Sequence, residues 1–276
     1  MHKILVTGSA GLIESAVTSR LRSSGCEVVN RDIRFIDNPL SVFSDSIQAI
    51  IEECDHLAAI SRVMHRQQYP ALCHQVNIEG SKKFLKFYKH LSHKLWLIYG
   101  SSREVYGEQE LLPVSEDTQY NPVNKYAEGK VAIENIVNNL GVSGFNTIIL
   151  RFSNVYGGLL DHRDRVIPAF CLNALRNESI QIDGKECIFD FIYIEDVVNE
   201  ILLLVDYMIH SQKIDSAIHF TSCRGCNLEK LANIVLEISG SNPLIEYTPP
   251  RNFSVSRSMV ILVMHRNSYA GCRNIL

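Results

Sequence analysis

Short apolar runs alternate with stretches of helical spacing along the first half of the chain. Lys3 to Thr7 reads as a strand, Gly11 to Ser24 as a helix and Glu27 to Asn30 as a second strand. Leu40 to Cys54 has helical spacing, and His56 to Ala59 is a short apolar piece. Then come a long helical stretch from Pro70 to Leu91, a strand from Lys94 to Tyr99, a helix from Asn121 to Leu140 and a strand from Asn146 to Arg151. Strands that alternate with helices predict βαβ units. The expected fold is α/β, a Rossmann-type doubly wound parallel sheet with both faces covered. The 22 residues between Asp32 and Asp55 leave little room for a loop, a strand and a helix. Past Arg151 the rhythm loosens. Helices are predicted at Ile167 to Arg176, Glu195 to Met208 and Leu228 to Ile238, and strands at Ile180 to Ile182 and Ile188 to Ile194. This pattern predicts a large domain over 1–160 and a smaller C-terminal lobe over 161–276, interleaved with the first.

Composition narrows the class. Apolar residues are 46% and charged residues 21%, ordinary for a globular chain. The net charge is −3 with no block of one sign, which gives no electrostatic case for nucleic acid or an anionic membrane. No apolar run reaches the roughly 20 residues of a membrane helix. The N-terminal run Ile4-Leu-Val-Thr-Gly8 is too short for a secretion signal. A cytoplasmic protein with reduced thiols is expected, since the eight cysteines are scattered. Cys223-Arg-Gly-Cys226 has the spacing of a metal knuckle but no second pair beside it, so no metal site is predicted.

Gly8-Ser-Ala-Gly11 lies between the first strand and the first helix. Glycines there let a backbone approach a pyrophosphate, and the helix N-terminus offers free N–H groups. Asp32 follows Gly11 by 21 residues at the end of the second strand. A carboxylate there can accept the ribose hydroxyls of NAD and repels the extra phosphate of NADP, a preference that the flanking Arg31 and Arg34 could soften. Glu14 is at odds with this site. It adds bulk and negative charge where a small residue is expected, which predicts weaker cofactor binding.

Tyr126 and Lys130 stand at i and i+4 near the start of a predicted helix, hence on one face. An ammonium beside a phenol favours the phenolate, so Tyr126 can pass a proton to or from a hydroxyl. Upstream, Leu97-Ile-Tyr-Gly-Ser101-Ser102 reads as a strand ending in two hydroxyls. Ser102 can bond the reacting oxygen, although two serines after a strand also serve simply as turn caps.

Taken in order, Thr7-Gly-Ser-Ala-Gly11, Asp32, His56-Leu-Ala-Ala59, Asn77-Ile-Glu-Gly80, Ser101-Ser-Arg-Glu-Val-Tyr-Gly107, Tyr126 with Lys130, Arg151-Phe-Ser-Asn-Val-Tyr-Gly157, Val166-Ile-Pro168 and Asp190-Phe-Ile-Tyr-Ile-Glu-Asp196 resemble the extended short-chain dehydrogenases, the NAD-dependent epimerase/dehydratase family acting on nucleotide sugars. The resemblance spans roughly residues 1–251. It implies a catalytic trio of Ser102, Tyr126 and Lys130, with Glu104 beside it. It implies NAD contacts from Gly8, Ala10, Gly11, Leu12, Ile13, Asp32, Leu57, Ala58, Ala59, Asn77, Tyr126 and Lys130. It implies that Ser102, Asn154 and Arg251 meet the nucleotide-sugar substrate. Relatives dimerise through helices corresponding to about 70–91 and 122–140, so a homodimer is implied.

Dehydratases of this family carry an acidic pair after the catalytic hydroxyl, and here the pair is Arg103 and Glu104. An arginine cannot deliver a proton at neutral pH. The expectation is therefore an NAD-dependent nucleotide-sugar epimerase: oxidation at C4, rotation of the keto sugar, and re-reduction. A decarboxylase or reductase of the same family is the alternative. Phe189 stands where relatives carry a phosphate-binding arginine, and the stretch from Asn252 shows no pattern. With Glu14, these departures keep open an NAD-binding or regulatory protein of impaired activity.

Overall fold

The computed structural model describes residues 2–32, 53–56, 71, 74–90, 95–210 and 217–250. Strand β1 (Lys3–Thr7) sends Ile4 and Val6 to one face of a sheet and Leu5 to the other, and all three are buried. After it come α1 (Leu12–Ser23), β2 (Glu27–Arg31) and β3 (Glu53–His56). A π-helical turn (Gln75–Gly80) runs into α2 (Ser81–Lys89). Strand β4 (Trp96–Ser102), a 3-10 turn (Arg103–Tyr106), α3 (Lys125–Val142) and β5 (Asn146–Phe152) complete the first half. The second half holds β6 (Asn154–Tyr156), α4 (Val166–Arg176), β7 (Ile180–Asp183), β8 (Ile188–Tyr193) and α5 (Ile194–Ile209). It ends in β9 (Ala217–Phe220), β10 (Gly225–Asn227), α6 (Leu228–Ser239) and β11 (Ile245–Thr248).

The main sheet runs β2-β1-β3-β4-β5-β9, with every pairing parallel. Period-2 alternation divides its side chains into two cores. Ile4, Val6, Ile98, Ile148 and Leu150 pack under α1 and α5. Leu5, Leu97, Tyr99 and Ile149 pack under α2 and α3, against Phe84, Tyr88, Ile133 and Val137. This is the doubly wound fold expected from the sequence. β2 lies on one side of β1 and β3 on the other, which opens a crevice at the carboxyl ends of β1 and β3, where open α/β sheets bind ligands.

One strand falls elsewhere than its apolar content suggests. Expected at 56–59, it runs over Glu53–His56, so the predicted helical stretch does not extend to Cys54. Both edges of this segment pair with buried strands, and that pairing outweighs the weak β-preference of Glu-Cys-Asp-His. The helix expected from Asn121 begins at Lys125, because Asn124 is its N-cap and accepts the Ala127 N–H at 2.9 Å.

The two halves interleave. α5 packs on α1, and β9 closes the main sheet beside β5. A separate small core joins α4 and α6 to β7 through Phe170, Ile180, Ile182, Leu228 and Val235. Among the described residues no helix is long and apolar enough to cross a membrane, and no cluster of ligating side chains could hold a metal ion. Cys223 and Cys226 are free thiols in a turn and on edge strand β10.

Candidate functional site

The glycine turn is held from both ends. Gly8 has φ +71°, a conformation that glycine adopts without strain. Its N–H donates to the Arg31 carbonyl at 2.7 Å, and the Gly11 N–H returns to the Gly8 carbonyl at 2.8 Å. Asp32 is buried, and its Oδ2 accepts the Ala10 N–H at 2.9 Å. The acid at the end of β2 thus fixes the turn directly, a role that its position in the sequence did not reveal. Leu12 and Ile13 pack on the core beneath. The Arg31 guanidinium turns back to the Asn30 carbonyl, and Arg34 lies outside the described residues. Gly11 is the N-cap of α1 and has no side chain to satisfy the first N–H groups, which suits the start of α1 to an anion. Glu14 bends back over that start: a Cβ built on Gly11 would lie 2.1 Å from Glu14 Oε2. The residues present fit a dinucleotide, with Glu14 working against its phosphates.

A polar stripe runs along α3 at i, i+4 and i+8. Tyr126 and Lys130 are both buried. The Lys130 ammonium donates to the Gly100 carbonyl at 2.6 Å and lies 5.8 Å from the Tyr126 ring centroid and 5.0 Å from that of Tyr99. Burial, with Tyr126 and Glu134 nearby, pushes the Tyr99 hydroxyl well above its ordinary value, so Tyr99 stays a neutral wall. The third member of the stripe, Glu134, is fully buried and accepts from the Ser101 hydroxyl. The sequence reading missed it, although Tyr-x3-Lys-x3-Glu continues the same face.

Glu134 also anchors Arg151. The guanidinium gives Glu134 Oε2 a 2.7 Å bond from Nη2 and reaches the Tyr106 hydroxyl and, at 2.8 Å, the Glu116 carbonyl. Burial alone would lower the Arg151 pKa. The bonds and charge of Glu134, with the phenols of Tyr106 and Tyr120, raise it instead. Burial, then the Glu134 carboxylate, pushes the Tyr120 hydroxyl up to about 12. The Tyr106 hydroxyl meets His219 Nε2 at 2.6 Å. This buried network ties β4, α3, β5 and β9 together, reaching β4 at Ser101, the neighbour of Ser102.

Ser102 ends β4. Its Oγ accepts the Glu104 N–H at 3.2 Å, so it does cap the 3-10 turn, and its own proton remains for donation. Glu104 Oε2 accepts from Asn124 Nδ2 at 3.1 Å, and Asn124 also caps α3 two residues before Tyr126. Glu104 Oε1 pairs with Arg103 Nη2 at 3.0 Å. Gly107 closes this segment at φ +58°, and a Cβ there would strike the Asn121 carbonyl at 1.8 Å.

Asn77 is buried in the π-helical turn that packs on α3. Asn154 on β6 donates Nδ2 to the Asp190 carbonyl at 3.0 Å, joining β6 to β8. Asp190 is fully buried, and its carboxylate accepts from Thr221 Oγ1 at 2.7 Å, Ser222 N at 2.9 Å and Arg224 N at 3.1 Å. It is a brace for the turn after β9. Leu57, Ala58, Ala59 and Arg251, four of the expected site residues, lie outside the described residues.

The family model described as the NAD dependent epimerase/dehydratase family matches residues 4–215. The chain belongs to that family. A UDP-glucose 4-epimerase of Lactobacillus helveticus is 26% identical over 77% of this chain and 74% of its own length. A dTDP-glucose 4,6-dehydratase of Salmonella typhimurium is 29% identical over 80% of this chain and 76% of its own. The crystal structure of UDP-glucose 4-epimerase with UDP-glucose from Thermotoga maritima superposes with a TM-score of 0.82 at 25% identity, covering 95% of this chain and 90% of that one. Relatives of more than one activity share this fold, so the reaction must be argued from the side chains.

Proposed function

We propose that this chain is an NAD-dependent nucleotide-sugar 4-epimerase. The observation that carries the reading is the stripe on α3: an ammonium bonded to the Gly100 carbonyl of β4, two residues before a serine hydroxyl that keeps its proton, and 5.8 Å from the ring centroid of a phenol on the same helix face. When bound, NAD supplies hydride acceptance from the sugar C4 and its return. Gly8, Ala10, Gly11, Leu12, Ile13, Asp32 and Asn77 are proposed to hold it, with Leu57, Ala58 and Ala59 expected alongside. Tyr126 removes the C4 hydroxyl proton as the carbinol is oxidised and restores it on re-reduction. Lys130 stabilises the phenolate by its charge. Ser102 donates to the C4 oxygen and fixes its distance from Tyr126.

Position 103 favours epimerisation over 4,6-dehydration. A guanidinium has no proton to give at neutral pH, and its partner Glu104 is engaged by Arg103 and Asn124. The lobe over 161–276 is proposed to carry the nucleotide, with Asn154 and Arg251 at its phosphates. The protein is proposed to work in the cytoplasm as a homodimer built on α2 and α3, which light scattering tests. The function itself is tested by NMR on UDP-, GDP-, dTDP- and CDP-sugars with NAD, since epimers share a mass. Inversion at C4 supports the reading. A dehydrated or decarboxylated product, or bound NADH with no product from any sugar, refutes it.

A further inference from the structure

Arg103 follows Ser102 directly and is 7% exposed. Its Nη2 pairs with Glu104 at 3.0 Å, and its Cζ lies 5.7 Å from the ring centroid of Phe189 on β8. Its Nη1 is buried and makes no hydrogen bond. A buried guanidinium with an idle N–H pair is costly, because water has been removed and nothing has replaced it. Here the cost is borne in the element that carries the proposed catalytic serine. Glu104 holds one edge of the fork, the Phe189 ring supports the plane, and Asn124 ties Glu104 to the cap of α3. The guanidinium is thus held in place with Nη1 left unsatisfied.

We infer that Arg103 Nη1 is the recognition point for a carboxylate carried by the sugar, so that the substrate is a nucleotide uronate. The inference rests on the epimerase reading only in placing the sugar C4 at Ser102. An acceptor-only group with two oxygens suits a guanidinium edge. A nucleotide uronate carries two kinds of anion. The diphosphate hangs from C1, across the ring from C4. A carboxylate at C6 is attached to C5, the immediate neighbour of C4. A side chain one residue past the group that binds the C4 oxygen is placed for the second.

The test is equilibrium binding of UDP-glucuronate, UDP-glucose and UDP to the NAD-loaded protein by calorimetry. The wild type binds the uronate about 10- to 100-fold more tightly than the hexose, the worth of one charge-assisted contact. Arg103→Gln loses that preference and keeps its affinity for UDP-glucose and UDP. Equal affinity of the wild type for uronate and hexose overturns the inference without any variant. A parallel loss for all three ligands in Arg103→Gln also overturns it, by assigning the arginine to the diphosphate. Absence of C4 inversion with the uronate preference intact defeats the epimerase reading alone. Inversion without the preference defeats this inference alone.

Discussion

Removing the charge of Glu14 should tighten NAD binding, and its size can be bounded. The carboxylate lies over the N-terminus of α1, where the pyrophosphate is expected. For unit charges about 5 Å apart, the repulsion is about 0.8 kcal/mol in bulk water and about 3 kcal/mol at an effective dielectric of about 20. Glu14 is partly exposed, so the answer falls between these limits. Glu14→Gln, which keeps the bulk, should therefore lower the Kd for NADH by a factor of about 4 to 160. Salt should erode the gain, because at about 0.1 M the screening length is about 10 Å. Glu14→Gly removes the bulk as well but gives up favourable charge at the helix start and adds backbone freedom, about 1 kcal/mol of stability. In that variant affinity rises while Tm falls. The assay is titration by NADH fluorescence at two ionic strengths, with thermal unfolding alongside. A Gln variant with the Kd and salt slope of the wild type would refute the reasoning.

Three further outcomes follow from the same geometry. Burial, then the charge of Asp196, raises Glu200 to about 7. From its unfolded value near 4.5 up to that point the folded form binds the proton more tightly, so stability falls as pH rises through the window. Glu200→Gln should match the wild type near pH 4 and exceed it by about 3 kcal/mol at pH 8 in urea unfolding; identical pH profiles would contradict this. Glu134→Gln leaves Arg151 buried without its counter-charge and should cost about 3–5 kcal/mol in the same assay, whereas a cost below about 1 kcal/mol would show that the network is dispensable. Asp32→Ala should loosen the glycine turn as well as shift preference towards NADP, so affinity for NAD falls by more than affinity for NADP rises; unchanged affinity for both would discount the bond to Ala10.

Much of the layout could be read from patterning. Strands β1, β4 and β5 are apolar on both faces, and α5 and α6 show clean stripes, so their existence and order follow from burial alone. Strand β3 was harder, because Glu-Cys-Asp-His becomes a strand through pairing on both edges, which only the assembled sheet supplies. The short β6, β9 and β10 gave little periodic signal for the same reason. At the site, Tyr126 and Lys130 were legible as an i, i+4 pair. Glu134 was not singled out, since a buried glutamate is recognisable only once Arg151 and Ser101 are seen beside it. Asp32 was placed at the cofactor, but its bond to the Ala10 N–H depends on where the turn folds. Arg103 was read for what it excludes, and its idle Nη1 emerges only from the packed structure.

The central claim is that Tyr126 and Lys130 serve a reversible oxidation at a sugar C4. Its most direct test uses a nucleotide sugar deuterated at C4, incubated with the NAD-loaded protein in ordinary water and followed by NMR. The account predicts a C4-inverted product that keeps its deuterium, formed at least about 100-fold more slowly by Tyr126→Phe. Deuterium lost to solvent, or inversion that proceeds undiminished without the phenol, would contradict it.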